Sequence, residues 1–317
     1  MSYNVYRMKH SIIALVVLIV LGFGVFYFIQ SSLTSPEPIE PVAETPNPSG
    51  DDPMPVEPDG GIGDGAEPLT EVDEAETTLG NSIKGTSITA YNFGSGDTEI
   101  VFVGGIHGGY SWNTALLGYQ LVDYFEANEE SIPENVRVSV IPVLNPDGLE
   151  RVTGKTGRFA ATDVSGNTTA GRFNSNDVDL NRNFDCEWEA EGTWRSQTVS
   201  GGSEPFSEPE TSAFRKFIRE TEPAAVVAYY SAAGGVYASN CNNGVLPETT
   251  KIMNIYADAS GYEAYQEFDF YQITGDMVNW LAKENIPGIS VLLTDHENTE
   301  RTKNIAGVEA LLASFAE

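Results

Sequence analysis

Few side chains in this chain of 317 residues carry obvious chemistry, and their spacing limits what that chemistry is. There are three His and two Cys. His10 precedes an apolar run, which leaves His107 and His296 for a folded part, so a site built on several imidazoles is short of ligands. His107 stands in Gly104-Gly105-Ile106-His107-Gly108-Gly109, where it reads as a metal ligand, an acid/base group or a structural histidine in a tight turn. Asp179-Leu180-Asn181-Arg182-Asn183-Phe184-Asp185 sets an arginine among amides. A guanidinium fork there suits a planar carboxylate, the alternative being an ordinary salt bridge. Asn145-Pro146-Asp147-Gly148 is a turn signature. Cys186 and Cys241 are too few for a disulfide-dense scaffold or a multi-cysteine zinc module. On the export side of a membrane they would pair and add roughly 3–4 kcal/mol by loop closure; otherwise they are buried thiols.

The elements that must position these residues alternate in type. Thr98–Gly104, Val136–Leu144, Ala224–Tyr230 and Gly288–Leu293 are short apolar runs, the pattern of strands covered on both faces. Helical stripes lie between and after them: Leu117, Leu121, Tyr124 and Phe125; Phe214, Phe217 and Ile218 behind a capping box of Ser207 and Glu210; Met277, Trp280 and Leu281; Ile305, Val308, Leu312 and Phe315. The alternation predicts an α/β sheet with its ligand site beyond the carboxyl ends of the strands.

Charge and hydropathy divide the chain. The balance of 17 Lys+Arg against 46 Asp+Glu gives −29, which excludes a nucleic-acid partner bound through its phosphates. Residues 12–29 are 18 consecutive apolar residues, about 27 Å as a helix, close to the hydrocarbon thickness of a bilayer. Arg7 and Lys9 ahead of them predict a cytoplasmic tail over 1–11 and one transmembrane helix over 12–30. Residues 31–80 hold nine Pro, thirteen Asp+Glu and no Lys or Arg, the composition of a disordered, self-repelling stalk. Residues 81–317 suit one extracytoplasmic domain of a single-pass membrane protein.

Taken together and in order, GGIHGG, NPDG, DLNRNFD with PFSEPET behind it, and GISVLLTDHENTE resemble the M14 zinc carboxypeptidases over roughly 85–317. The resemblance implies a mixed, largely parallel eight-stranded sheet with helices on both faces. It implies one zinc held by a His and a Glu of the first motif and by a second His. It also implies an Asn-Arg pair on the substrate's terminal carboxylate, an Arg that polarises the scissile carbonyl, and a Glu on the last strand that activates the zinc-bound water. Carried over, His107 is the first ligand, Asn181 and Arg182 are the carboxylate clamp, and Arg172 takes the carbonyl-polarising position. The Glu ligand is replaced by Tyr110 or Ser111, the latter also a helix N-cap candidate; the second His is Tyr230; the general base is Leu292. The tyrosine that closes over the substrate has Tyr262 and Tyr265 as candidates. His296, four residues beyond Leu292, does not restore the ligand count.

A catalytic zinc needs three protein ligands and an open position. Leucine cannot accept a proton, and a positioned base contributes roughly 10²–10⁴-fold. The expectation is a membrane-anchored carboxypeptidase-like domain without zinc or other cofactor and without catalysis. It keeps a pocket for the terminal carboxylate of a peptide or cell-wall stem peptide. The other reading is an active zinc metallocarboxypeptidase with replacement ligands, such as Tyr230 as phenolate.

Overall fold

The structure, a computed structural model, describes residues 75–242 and 244–316. The expected tail, the span at 12–30 and nearly all of the 31–80 stalk lie outside the described residues.

Strands β1 (Glu76–Asn81), β2 (Ser87–Phe93), β3 (Thr98–Val103), β4 (Val136–Ile141), β7 (Ala225–Ser231), β8 (Gly235–Ala238), β9 (Ala264–Tyr265) and β10 (Gly288–Leu293) form one eight-stranded sheet in the order β1-β2-β4-β3-β7-β10-β8-β9. The central β4, β3, β7 and β10 are mutually parallel, and β2 and β8 join them antiparallel. The sheet is mixed, as the resemblance implies. A separate ribbon pairs β5 (Glu191–Trp194) with β6 (Gln197–Ser200). Strand β1 starts inside the segment expected as linker, so the ordered domain begins earlier than residue 81.

Alternation along the central strands sends residues to two cores. Ile100, Phe102, Val227, Tyr229, Ile289 and Val291 pack on one face with helices α1 (Trp112–Ala127), α4 (Pro247–Ser260) and α6 (Arg301–Ala313). Val101, Val103, Val226, Ala228, Tyr230 and Leu292 pack on the other with α3 (Pro209–Thr221) and α5 (Met277–Lys283). Phe125 and Trp280, wholly buried on opposite faces, each contribute about 2–3 kcal/mol of burial.

Two local expectations change. Asn145-Pro146-Asp147-Gly148 opens helix α2 (Pro146–Thr153) instead of a bare turn, because Asn145 Oδ1 accepts the Gly148 amide and Pro146 needs no donor in the first helical turn. The box of Ser207 and Glu210 does not form. Glu208 is the N-cap without a side-chain cap bond, and Glu210 turns inward to accept from the Ile83 amide and Asn174.

Candidate functional site

Strands β3, β7 and β10 run parallel, so their carboxyl ends open on the same side, and the loops beyond them supply a pocket of ≈ 620 Å³. His107, Tyr110, Arg172, Asn181, Arg182, Tyr230 and Leu292 all line it. Ser111 does not, so of the two residues at the missing glutamate's position only Tyr110 reaches the cavity.

Beyond β3 the chain turns sharply at Gly105, whose φ of +60° suits glycine and whose absent Cβ would meet Pro142 O at 2.9 Å. The turn delivers His107, buried, with Nε2 3.1 Å from Asp179 Oδ1. Asp179 also accepts from Arg172, through Nε at 2.9 Å and Nη2 at 2.7 Å. Arg172 Nη1 lies 3.4 Å from His107 Nδ1. A carboxylate only accepts and a guanidinium only donates, so the neutral ring carries its proton on Nε2 and turns its lone pair to Arg172. Burial, helped by Arg172, holds the His107 pKa at about 4 against the pull of Asp179. The His107–Asp179 contact is therefore a hydrogen bond of a neutral ring and not an ion pair. Burial disfavours the Asp179 anion, but Arg172 and His107 outweigh it and keep the carboxyl far below its usual range.

The remaining positions offer a metal little. Burial, then Asp276, pushes the Tyr230 phenol well above its usual range, and its hydroxyl donates to Asn181 Oδ1 at 3.1 Å. Leu292 pairs in register with Tyr230 and gives the floor an apolar surface. Tyr110 stacks edge-on against Trp194 at 5.1 Å and accepts from Arg195 at 2.9 Å. Ser111 is the N-cap of α1 by position, yet its side chain makes no cap bond; its hydroxyl is buried without a partner among the described residues. Among the described residues no group of three or more His, Cys, Asp or Glu is arranged to hold a metal ion. With the His107 lone pair facing a guanidinium, and Tyr110, Tyr230 and Leu292 at the other expected positions, this donor set does not fit a catalytic zinc.

The carboxylate-clamp positions are built differently. Arg182 is almost wholly buried, with Nη1 donating to Asn181 O at 2.7 Å and Nη2 to Thr193 O at 3.0 Å. Its Nε has no partner, and no carboxylate lies within ion-pair distance among the described residues. Asn181 is pinned: Nδ2 donates to Asp276 at 2.7 Å, and Oδ1 accepts from Tyr230 and from the Met277 amide. Burial raises the Asp276 pKa against the hydrogen bonds it accepts.

Tyr271, not Tyr262 or Tyr265, stands over the clamp, its ring 5.9 Å from the Arg182 guanidinium and in the pocket wall. Tyr262 is buried on Glu300, and Tyr265 bonds Glu263 and stacks on Tyr237. His296 also lines the cavity, 4.6 Å from the Tyr110 ring. Neither Tyr271 nor His296 has a sequence signal that sets it apart from its loop neighbours. Cys186 and Cys241 are bonded, tying the segment after Arg182 to the loop after β8.

Comparison with known proteins agrees with this architecture. The zinc carboxypeptidase family model (Peptidase_M14) matches residues 68–300. A gamma-D-glutamyl-L-diamino acid endopeptidase 1 of Lysinibacillus sphaericus is 27% identical over 245 residues, 70% of this chain and 61% of that one. Carboxypeptidase B of Helicoverpa zea is 31% identical over 158 residues, 48% of this chain and 36% of that one. The chain thus spans less than two thirds of the length of either. Among solved structures, a murein-tripeptide amidase of Escherichia coli O157 superposes with a TM-score of 0.52 at 18% identity, over 75% of this chain and 92% of that one. A thrombin-activatable fibrinolysis inhibitor superposes with a TM-score of 0.60 at 16% identity, over 75% and 70%. At these identities the structural likeness concerns the fold.

Proposed function

The chain belongs to the zinc carboxypeptidase (M14) family, and from that premise we propose that its domain is a non-catalytic receptor for peptide C-termini that works without zinc. The observation that carries the reading is Arg182: a buried guanidinium with backbone carbonyls for partners and, among the described residues, an unpaired Nε and no carboxylate within ion-pair distance, Asp276 and Asp179 acting on it only from further off. A buried charge left so is costly, and a ligand carboxylate would relieve it with charge-assisted hydrogen bonds. The absence of zinc is supported by the His107 lone pair facing Arg172, by the neutral Tyr230 phenol and by Leu292 where a base would stand. The clamp makes a carboxyl-terminal peptide the ligand class. Relatives named for a diamino-acid endopeptidase and a murein-tripeptide amidase favour cell-wall stem peptides within it. A single-pass anchor over 12–30, a cytoplasmic tail over 1–11 and an acidic stalk to about residue 75 complete the proposal, with the domain outside the cytoplasm.

Calorimetry with acetylated peptides bearing a free or an amidated C-terminus tests it. The full chain should bind the free acid only, Arg182→Ala should bind neither, and metal analysis should find no stoichiometric zinc. A second reading, an active zinc metallocarboxypeptidase with replacement ligands, has one observation in its favour: His296 and the carboxylates of Glu187, Glu267 and Asp276 also line the cavity. One equivalent of zinc with chelator-sensitive release of C-terminal amino acids would establish it instead.

A further inference from the structure

Four hydrogen bonds that the carboxylate clamp does not use converge on one ring at the pocket wall. Asn113, wholly buried in the first turn of α1, donates both protons of Nδ2 to loop carbonyls, Asp295 O at 2.8 Å and Asn298 O at 3.0 Å. Its amide orientation is thereby fixed, and the atom facing Ser231 Oγ at 3.1 Å is Oδ1, which only accepts. Ser231 must give its single proton there. The 3.0 Å contact between Ser231 Oγ and His296 Nδ1 then runs the other way, with Nδ1–H donating. A neutral His296 so held carries its lone pair on Nε2, which has no partner among the described residues. The charged groups facing the ring are Arg195, Arg172 and Asp295; burial and the two arginines outweigh Asp295 and lower its pKa, which keeps it neutral at pH 7.

We propose that His296 is a hydrogen-bond acceptor in the pocket wall, locked as the Nδ1–H tautomer by Ser231 and Asn113, and that its Nε2 receives an N–H of the bound peptide upstream of the terminal carboxylate. The inference rests on the carboxylate-receptor reading and gives the ligand a second point of recognition. A free carboxylic acid of similar size, with no such N–H, binds through Arg182 alone. The relay draws on α1, the end of β7 and the loop after β10, so the acceptor is set by the same strand ends that shape the cavity.

Two measurements on the full chain test this. Long-range ¹H–¹⁵N correlation at pH 7 reads the tautomer directly, and with three histidines in the chain the spectrum is sparse. His296 should appear protonated on Nδ1 and should lose that preference in Ser231→Ala. The second measurement is the affinity of an acetylated tripeptide and of the same tripeptide N-methylated at each amide in turn. His296→Asn, whose amide N–H replaces Nδ1–H, should leave the melting temperature unchanged and weaken the parent peptide about 3- to 10-fold, the worth of one hydrogen bond. Against one of the methylated forms it should have no effect, because that form already lacks the donor. A His296 protonated on Nε2, or unchanged affinity for every peptide in His296→Asn, overturns the proposal. If the unmodified chain binds none of the peptides, the clamp reading fails and the ligand role of His296 falls with it. Binding that Arg182→Ala abolishes and His296→Asn spares removes His296 alone.

Discussion

The guanidinium of Arg172 lies 3.4 Å from His107 Nδ1, the one ring nitrogen that keeps a lone pair, while the same side chain makes two contacts to Asp179. A resident cation therefore occupies the approach to the imidazole, and the buried Asp179 carboxylate depends on it for charge balance. Trp194 closes the far side, its ring 4.4 Å from the guanidinium carbon.

Removing that cation should be expensive. Arg172→Ala leaves Asp179 ionised, buried and without its charged partner, and the expected loss is roughly 3–5 kcal/mol of unfolding free energy in a urea titration. Arg172→Lys should recover only part of it, because an ammonium cannot make the paired contact. A loss under about 1 kcal/mol for the alanine variant would mean that Asp179 is satisfied without Arg172.

Gly192 sits against the clamp arginine. A Cβ there would lie 2.9 Å from Arg182 Cδ and 3.2 Å from Nε, inside a buried stem that cannot swing away. Gly192→Ala should cost about 1–3 kcal/mol of stability by overpacking. It should also weaken binding of C-terminal carboxylates by displacing the guanidinium. Gly157, where a Cβ would come no nearer than 3.7 Å to the Tyr119 hydroxyl, is the control: Gly157→Ala should leave both unchanged. Equal effects at the two positions would sink the steric account.

The Cys186–Cys241 bond spans a sequence separation of 55 and should supply roughly 3–4 kcal/mol by restricting the unfolded chain. The double variant Cys186→Ala, Cys241→Ala should lose about that much in denaturant titration of oxidised protein. Reducing agent should lower the midpoint of the unmodified chain and leave the variant where it is.

Glu210 gives a pH signature away from the pocket. Burial, aided by Asp147, raises its pKa, against hydrogen bonds from its own amide, Asn174 and the Ile83 amide. A folded-state pKa above the unfolded value means that the native state holds the proton longer, so this group takes stability away as pH rises past the ordinary glutamate range. Glu210→Gln removes that term. Its melting temperature relative to the unmodified chain should improve as pH rises through the ordinary glutamate range and level off above the raised folded-state pKa, whatever constant offset the lost acceptor adds. A gap that stays flat with pH would show that Glu210 is not strained by its burial.

The sequence makes visible the residues that sit in short, ordered strings at strand ends. His107, Asn181 and Arg182 belong to such strings, and the apolar runs of β3, β4, β7 and β10 are recognisable because central parallel strands are buried on both faces. The sequence does not reveal what depends on distant partners. His107 meets Asp179 across 72 positions, and Asn113 meets its loop carbonyls across more than 180. His296 reads as a loop residue beyond the site, because nothing in Thr294–Glu300 shows that the chain folds back over Tyr110. Tyr271 escapes for a related reason: an aromatic loop has no periodicity to fix which ring faces inward, so Tyr262 and Tyr265 look equally suitable. The short β8 and β9 are set by pairing with β10 and with each other, not by a run of their own.

The cystine joins two walls of the cavity, the stretch that carries Asn181, Arg182 and Glu187 and the loop that carries Asn240 and Asn242. A ligand entering between them meets walls whose separation was settled when the two thiols were oxidised. On the receptor reading, affinity at this site is tied in advance to the redox history of the chain, because reduction removes the one covalent link between the two walls that would face the peptide.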